Sequence, residues 1–392
     1  MLKTLKVYSL VIITSTLITL YLIEAFLLVS QHKRSLEYKM AIYKKKTGSD
    51  YDLRSIIEVF EDEKKGDEDV AIRYLPQILL KNNINLQNKN LFPLSGISKT
   101  KTIFCNEEGY FAFYNSDRYG FNNPDIVWEN SNINAVIIGG SFVHGSCVNR
   151  PNDISSVIRN TTNTNVINLG YRGNGPLTEY ATLKEYFIRG TKNIIWIHYE
   201  NEIENLKDEL KNPILKNYLS NNNFSQKLIF KQKEIDKANK NLMNYLYNTE
   251  VRTLKQNKKD MNKKNRILKF VRFDNLKKLI KNHFNKSNSQ DKKLPYDYFS
   301  EILRKVKIFA DKNGSNFYFI YLPELKNLDK RKLNEIKVIT NDLGINFINL
   351  KNELFDSLEN PQELFSFETG VHFNVNGYNK LAQKIIELTK LK

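Results

Sequence analysis

Apolar residues are distributed along the chain in three successive patterns. From Val7 to Ile23 the chain reads VYSLVIITSTLITLYLI without a charge, Glu24 interrupts, and AFLLV continues to Val29. At about 1.5 Å of rise per residue a helix over this stretch can cross a hydrocarbon layer of about 30 Å, so residues 1–30 are expected to be a transmembrane anchor. A cleaved signal peptide would have a shorter apolar region and a small-x-small cleavage site, and none follows here. Glu24 is costly at mid-membrane but tolerable near an interface. Residues 31–130 form a mixed lead-in: a basic juxtamembrane stretch, a predicted helix around Arg54 to Lys64, and the segment YFAFYNSDRYGFNNPDIVW from Tyr110 to Trp128. Its aromatics and its Gly, Asn and Pro punctuation predict short strands and turns packing on the domain that follows.

From Asn134 short apolar runs alternate with helical stretches. NAVIIGG (134–140), NVINLG (165–170), NIIWIHY (193–199), NFYFIYLP (316–323) and NFINLK (346–351) are too apolar to have a solvated face. Helices are predicted over Ser155 to Thr161, Leu177 to Arg189, Tyr298 to Asn313, Lys330 to Leu343 and Asn376 to Leu391. Strands buried on both faces and separated by helices imply an α/β fold, a three-layer sandwich around a central parallel sheet, covering residues 131–392. In such a sheet functional groups collect at the carboxyl ends of the strands.

One stretch departs from that alternation. Between about 205 and 294 the composition is helical, and its second half carries Arg252, Lys255, Lys258, Lys259, Lys263, Lys264, Arg266, Lys269 and Arg272. Ile267, Leu268, Phe270, Val271, Phe273, Leu276, Leu279, Ile280 and Phe284 recur with partly helical spacing, as in a basic amphipathic helix that lies on a membrane surface. The plainer reading is a peripheral, solvated helical insertion that adds no strand to the sheet.

The chain of 392 residues is 41% hydrophobic, enough to bury one large core or two modest ones. Its formal net charge of +17 raises nucleic acid or an anionic membrane as partner. Lysine and asparagine are spread almost everywhere, so the excess is read as compositional bias and no nucleic-acid partner is expected. The same bias affects orientation: Lys3 and Lys6 precede the span, while Lys33, Arg34, Lys39 and Lys44 to Lys46 follow it. Counted literally this favours a cytoplasmic body; the expectation adopted is a single-pass protein with an extracytoplasmic, periplasmic-side body. Cys105 and Cys147 match no zinc-ligand spacing. They are read either as a pair formed in an oxidising compartment or as two unrelated buried thiols.

Four segments could carry chemistry. In AVIIGGSFVHG (135–145) a strand runs into Gly139-Gly140-Ser141, which presents a serine at a strand's carboxyl end with backbone amides able to face an oxyanion. NLGYRGNGP (168–176) follows the next strand, and the Gly173 N–H could donate to a developing alkoxide; the bland alternative is a turn needing positive φ. Asn201 follows NIIWIHY and offers a side-chain amide as oxyanion donor, or else caps the helix after it. His372, in ETGVHFNVNGYNKLAQKI (368–385), precedes an amphipathic helix that Asn374 or Asn376 could cap. His144 and His198 are rival bases, one only three residues from the serine and the other inside a strand.

In this order, each after a strand, the four segments resemble the conserved blocks of the GDSL/SGNH hydrolase superfamily, over roughly residues 134–204 and 315–390. The resemblance implies an SGNH, flavodoxin-like fold, with Ser141 as nucleophile, Gly173 and Asn201 as oxyanion donors and His372 as general base, working without cofactor or metal. SDRYGFNNPD is also similar to the segment before the first block in bacterial members associated with surface-polysaccharide modification, which implies an acylated small molecule or carbohydrate as substrate. Two positions depart from the pattern. Gly140 stands where the family has the aspartate of its GDS triplet, and Thr369 stands where it has the acid three residues before the histidine. With Thr369 there, Glu368, or Thr369 itself with a main-chain carbonyl as a weaker substitute, is the expected orienting partner of the imidazole, and the alternatives to an esterase are an O-acyltransferase or an inactive SGNH-fold scaffold. Ser141 Oγ is expected within about 3 to 4 Å of a His372 nitrogen.

Overall fold

The structure is a computed structural model that describes residues 2–32, 36–66, 69–74, 77–81, 90–260, 270–289, 294–325, 328–368 and 371–391. The chain forms two units, Asp52–Thr249 with Leu294–Lys392, and Met1–Tyr51 with Glu250–Lys293.

The larger unit is built on a five-stranded parallel sheet of β4 (Ala135–Gly139), β5 (Val166–Asn168), β6 (Asn193–Tyr199), β7 (Asn316–Leu322) and β8 (Asn346–Asn349), in the order β5-β4-β6-β7-β8. This is the 2-1-3-4-5 order of flavodoxin-like sheets, whose ligand crevice opens where the order reverses, here at the carboxyl ends of β4 and β6. Because side chains alternate across a strand, each strand feeds two cores. Val136, Ile138, Ile194, Trp196, Phe317 and Phe319 pack with helices Pro176–Tyr186 and Tyr296–Lys312 on one face. Ala135, Ile137, Ile195, Ile197, Ile320 and Leu322 pack with helices Ile154–Thr162 and Val375–Thr389 on the other. The three expected layers are present, and all five predicted strands lie in the sheet.

A second, three-stranded sheet precedes these elements: β1 (Val70–Ile72) runs parallel to β2 (Lys101–Ile103), which turns back antiparallel into β3 (Phe113–Asn115). Before it, Ser55 and Glu58 form a capping box on helix Ile56–Lys64, which fixes the predicted lead-in helix.

The insertion is not one peripheral excursion. Its first half belongs to the larger unit, where Leu206, Leu215, Tyr218, Leu228, Ile235 and Leu242 are buried in the main core. Glu185 secures it by accepting Tyr218 Oη and the N–H groups of Gln226 and Leu228. The second half groups with the N-terminal helix; Lys263, Lys264, Arg266, Ile267, Leu268 and Lys269 lie outside the described residues. Among the described residues the insertion adds no strand.

In the smaller unit, helix Leu2–His32 contains the stretch Val7–Val29, long and apolar enough to cross a membrane. Glu24 within it is fully buried and accepts hydrogen bonds from Asn275 N, Asn275 Nδ2 and Leu276 N at 3.1, 2.9 and 2.9 Å. Those amides open helix Asp274–Ser289, so the carboxylate satisfies donors that a helix start leaves orphaned and sits at its positive end. The charge that interrupts the apolar run is thus spent inside the protein, beside the Tyr21, Phe270 and Phe273 rings.

Candidate active site

Strand β4 runs into the short helix Ser141–His144, and Ser141 stands half-buried at that junction. The helix ends at Gly145 with φ +80. Gly140 is explained by what lies beneath it. The buried Glu202 carboxylate accepts the Tyr199 N–H at 2.9 Å and bonds the Gly140 N–H as well, and a Cβ on residue 140 would overlap its Oε1. A GDS aspartate has no room here, because a glutamate from the segment after β6 already fills that space. Gly140→Ala is therefore expected to destabilise the protein by about 1 to 3 kcal/mol, the usual range for overpacking. The penalty should shrink in a Glu202→Ala background, which a pair of thermal melts would show.

His372 lies on the loop before helix Val375–Thr389, which Asn374 caps by accepting the Gly377 N–H at 2.9 Å. The imidazole is buried against Phe142, with ring centroids 5.3 Å apart. Its Nε2 lies 2.9 Å from Ser141 Oγ. Its Nδ1 lies 2.8 Å from Glu107 Oε1, and its backbone N–H donates to Glu107 Oε2 at 3.2 Å. The expected partners were Glu368, or Thr369 with a main-chain carbonyl; the group found is Glu107, a full carboxylate from the turn joining β2 to β3, 265 residues upstream. Glu368 is exposed at the end of the turn Ser366–Glu368, and Thr369 lies outside the described residues.

The electrostatics suit a base. Burial pushes His372 down and Glu107 pulls it back up, and the net position is below the ordinary 6.5. Burial pushes Glu107 up, but the His372 hydrogen bond and charge, with Arg172, outweigh it, so this carboxyl sits below the ordinary 4.5 and is ionised at neutral pH. A neutral imidazole with Nδ1–H held by a carboxylate leaves Nε2 free to accept the serine proton. Imidazolium cannot accept it, so kcat/KM is expected to fall toward acid with a midpoint below 6.5. Glu107→Gln removes the influence that raises His372, so a pH–rate profile of that variant should have its midpoint further toward acid.

Neither rival histidine reaches the serine. His144 is buried with Nδ1 accepting the Arg172 N–H at 3.0 Å and its ring stacked on Tyr171, and burial holds it well below 6.5. His198 is enclosed by Phe299 and Phe319, and burial holds it at about 3.

The other two expected positions follow strands that flank β4. Gly173 lies in the turn after β5 with φ +87, a conformation that favours glycine. Asn201 follows β6 and is exposed; it precedes the turn Glu202–Glu204 but makes no side-chain cap bond, so capping does not account for it. Ser141, Gly173 and Asn201 thus sit in the loops after three adjacent strands at one edge of the sheet. SDRYGFNNPD braces two of those loops. Asn122 donates to His144 O and Asn123 to Asn168 O, each at 2.9 Å. Buried Asp117 gathers the Tyr119 and Phe121 N–H groups, Asn123 Nδ2 and Trp128 Nε1, and burial raises it to about 6.

Cys105 and Cys147 form a disulfide. Side chains able to hold a metal converge in two places among the described residues. One is Glu107, Cys147 and His372, already committed to the disulfide and to one another. The other is Glu179, His198 and Glu202, buried under the nucleophile loop, where burial holds both carboxyls well above 4.5, with added repulsion of Glu179 by Glu209 and of Glu202 by Glu179 and Glu209.

The strand order, with these loops at its crevice, is that of a flavodoxin-like α/β fold. No protein-family model and no curated protein matches the sequence. Among solved structures the chain is similar to a protein ascribed to the lipolytic G-D-S-L family from Desulfitobacterium hafniense DCB-2, with 14% identity and a TM-score of 0.35, covering 66% of this chain and 99% of that one.

Proposed function

We propose that the protein is a membrane-tethered serine esterase or deacylase. The observation that carries this reading is the continuous relay from Glu107 through His372 to Ser141, with contacts of 2.8 and 2.9 Å. His372 takes the proton from Ser141, Oγ attacks an ester carbonyl, and the Ser141 amide, the Gly173 N–H and the Asn201 amide hold the tetrahedral oxyanion. His372 then protonates the leaving alcohol, and water releases the acyl group from the serine. A carbohydrate hydroxyl in place of that water makes the same site an O-acyltransferase. The substrate proposed is an acylated carbohydrate or small ester, on the likeness of the four blocks and of SDRYGFNNPD to bacterial hydrolases. The scaffold alternative rested on the missing acid, and Glu107 supplies one.

The apolar helix Val7–Val29 supports tethering. The disulfide supports an extracytoplasmic body, because such bonds persist in oxidising compartments. It weighs more than the lysine count, since lysine is abundant throughout the chain. Full-length protein in detergent is expected to release acetate from 4-nitrophenyl acetate and from a peracetylated hexose, with the acetyl group transiently on Ser141 by intact mass. Equal release by Ser141→Ala would count against the reading.

A further inference from the structure

Glu107 reaches the site from a separate small sheet, and the means of holding it there follows from its neighbours. Cys105 is two residues before Glu107, and its bonded partner Cys147 is six residues after Ser141. We propose that the Cys105–Cys147 disulfide is the positioning element that keeps the Glu107 carboxylate on His372, and so belongs to the catalytic apparatus rather than to general stability. This rests on the serine-hydrolase reading of the same site.

Glu107 is carried by the hairpin of β2 and β3, where β2 also pairs with β1; its ladder continues through Phe104 N–H to Ala112 O at 2.8 Å and Ala112 N–H to Cys105 O at 2.9 Å, so Cys105 is at the last paired position before the turn that bears the acid. At its base Phe104 and Tyr114 pack on His144, with centroids 4.4 and 5.2 Å away, and the Phe113 N–H donates to Asn149 Oδ1 at 2.8 Å. Further out, the turn is tied on one side to Asp52, which donates its N–H to Gly109 O at 2.8 Å and accepts from Asn106 Nδ2 at 2.9 Å. On the side facing the nucleophile the covalent tie is the disulfide. Cys147 is fully buried at the end of the segment that begins with Ser141, so the bond joins the turn bearing the acid to the segment bearing the nucleophile. A carboxylate that must hold one imidazole N–H needs placement to about 0.5 Å, and a displacement of about 1 Å costs on the order of a hundredfold in rate. Residue 369 is threonine and Glu368 is exposed at the end of the turn Ser366–Glu368, so Glu107 is the acid to be held in place.

The test is a cycle of four full-length proteins: wild type, Glu107→Gln, Cys105→Ala/Cys147→Ala, and the combined variant. Turnover of 4-nitrophenyl acetate and the downfield proton resonance of the His372 Nδ1–H are read on each. Loss of the disulfide is expected to lower kcat by about ten- to a hundredfold with KM nearly unchanged. Glu107→Gln should then cost much less than it does in the bonded protein, because the acid is already displaced. The downfield resonance should be present in wild type and absent from the other three. If Glu107→Gln costs the same factor with and without the disulfide, or if the resonance survives in Cys105→Ala/Cys147→Ala, the bond is only structural and the proposal fails. The resonance does not depend on turnover: an inactive wild type that shows it, with loss in the cysteine variant, would sink the hydrolase reading and leave the positioning role standing. Should the cysteine variant not fold, the same two readouts on wild type reduced by a dithiol and then reoxidised decide the question, with recovery expected on reoxidation. A reduced, folded protein that keeps both signals would overturn the proposal.

Discussion

His372→Ala is expected to lower turnover of an activated ester by about a million-fold, Ser141→Ala by a similar factor, and the double variant by no more than either alone. The reason is the 2.9 Å contact between Nε2 and Oγ. A serine hydroxyl is a poor nucleophile until a base accepts its proton in the attack, so serine and imidazole act as one unit and removing either removes the unit. Additive losses would mean that the two side chains act separately, which the contact does not allow. Activity remaining in both variants should reflect only the oxyanion donors after β4, β5 and β6. Far-UV circular dichroism alongside the kinetics checks that the fold persists; truncating the buried imidazole costs some packing against Phe142, so the comparison is made below the variant's melting range.

Glu107→Gln is expected to cost about 10³- to 10⁴-fold in kcat with little change in KM, the penalty seen when the acid of a serine–histidine–acid relay is replaced by its amide. The glutamine keeps the shape but loses the charge. It can also present its NH₂ to Nδ1, which would force the imidazole proton onto Nε2 and leave Ser141 with no base. The acid also stabilises the imidazolium formed during attack. Thr369→Asp, which restores the family pattern in sequence, is expected to gain nothing in the wild type, because Nδ1 already has Glu107 at 2.8 Å. Its informative background is Glu107→Gln, where an aspartate at position 369 should recover part of the lost rate if it can reach the ring. Kinetics of the two single variants and the double separate these cases.

The central sheet was legible because β4 to β7 are apolar on both faces, as in a parallel sheet between helical layers; the edge strand β8 departs from that expectation, with none of Asn346 to Asn349 fully buried. Ser141 and His372 were nominated by the resemblance of the four blocks, since a serine after a strand or a histidine before a helix is a weak signal alone; the structure sets the two side chains 2.9 Å apart. Glu107 was not: it lies in a turn of the lead-in, and no local pattern marks a carboxylate as the partner of a residue 265 positions later. A signal did exist in the cysteines. Taken as a bonded pair, Cys105 and Cys147 bring the acids of CNEEG beside the serine segment and nominate Glu107 or Glu108. The insertion misled for a related reason. Its charged second half set the reading of the whole, while Leu215, Tyr218 and Leu228 in the first half were destined for the core. Gly140 illustrates the remaining limit, since its cause is a through-space neighbour, Glu202, that no spacing rule would pair with it.

The most direct test of the account is labelling of the full-length protein with a fluorophosphonate, followed by intact mass and peptide mapping. The probe forms a stable adduct only with a serine whose hydroxyl is activated, so it reports the relay without knowledge of the substrate. One adduct per chain is expected, mapped to Ser141, much slower to form in Glu107→Gln and absent in His372→Ala. A folded wild-type protein that takes no adduct, or takes it on another serine, would contradict the assignment of Ser141, His372 and Glu107 as a working hydrolytic site.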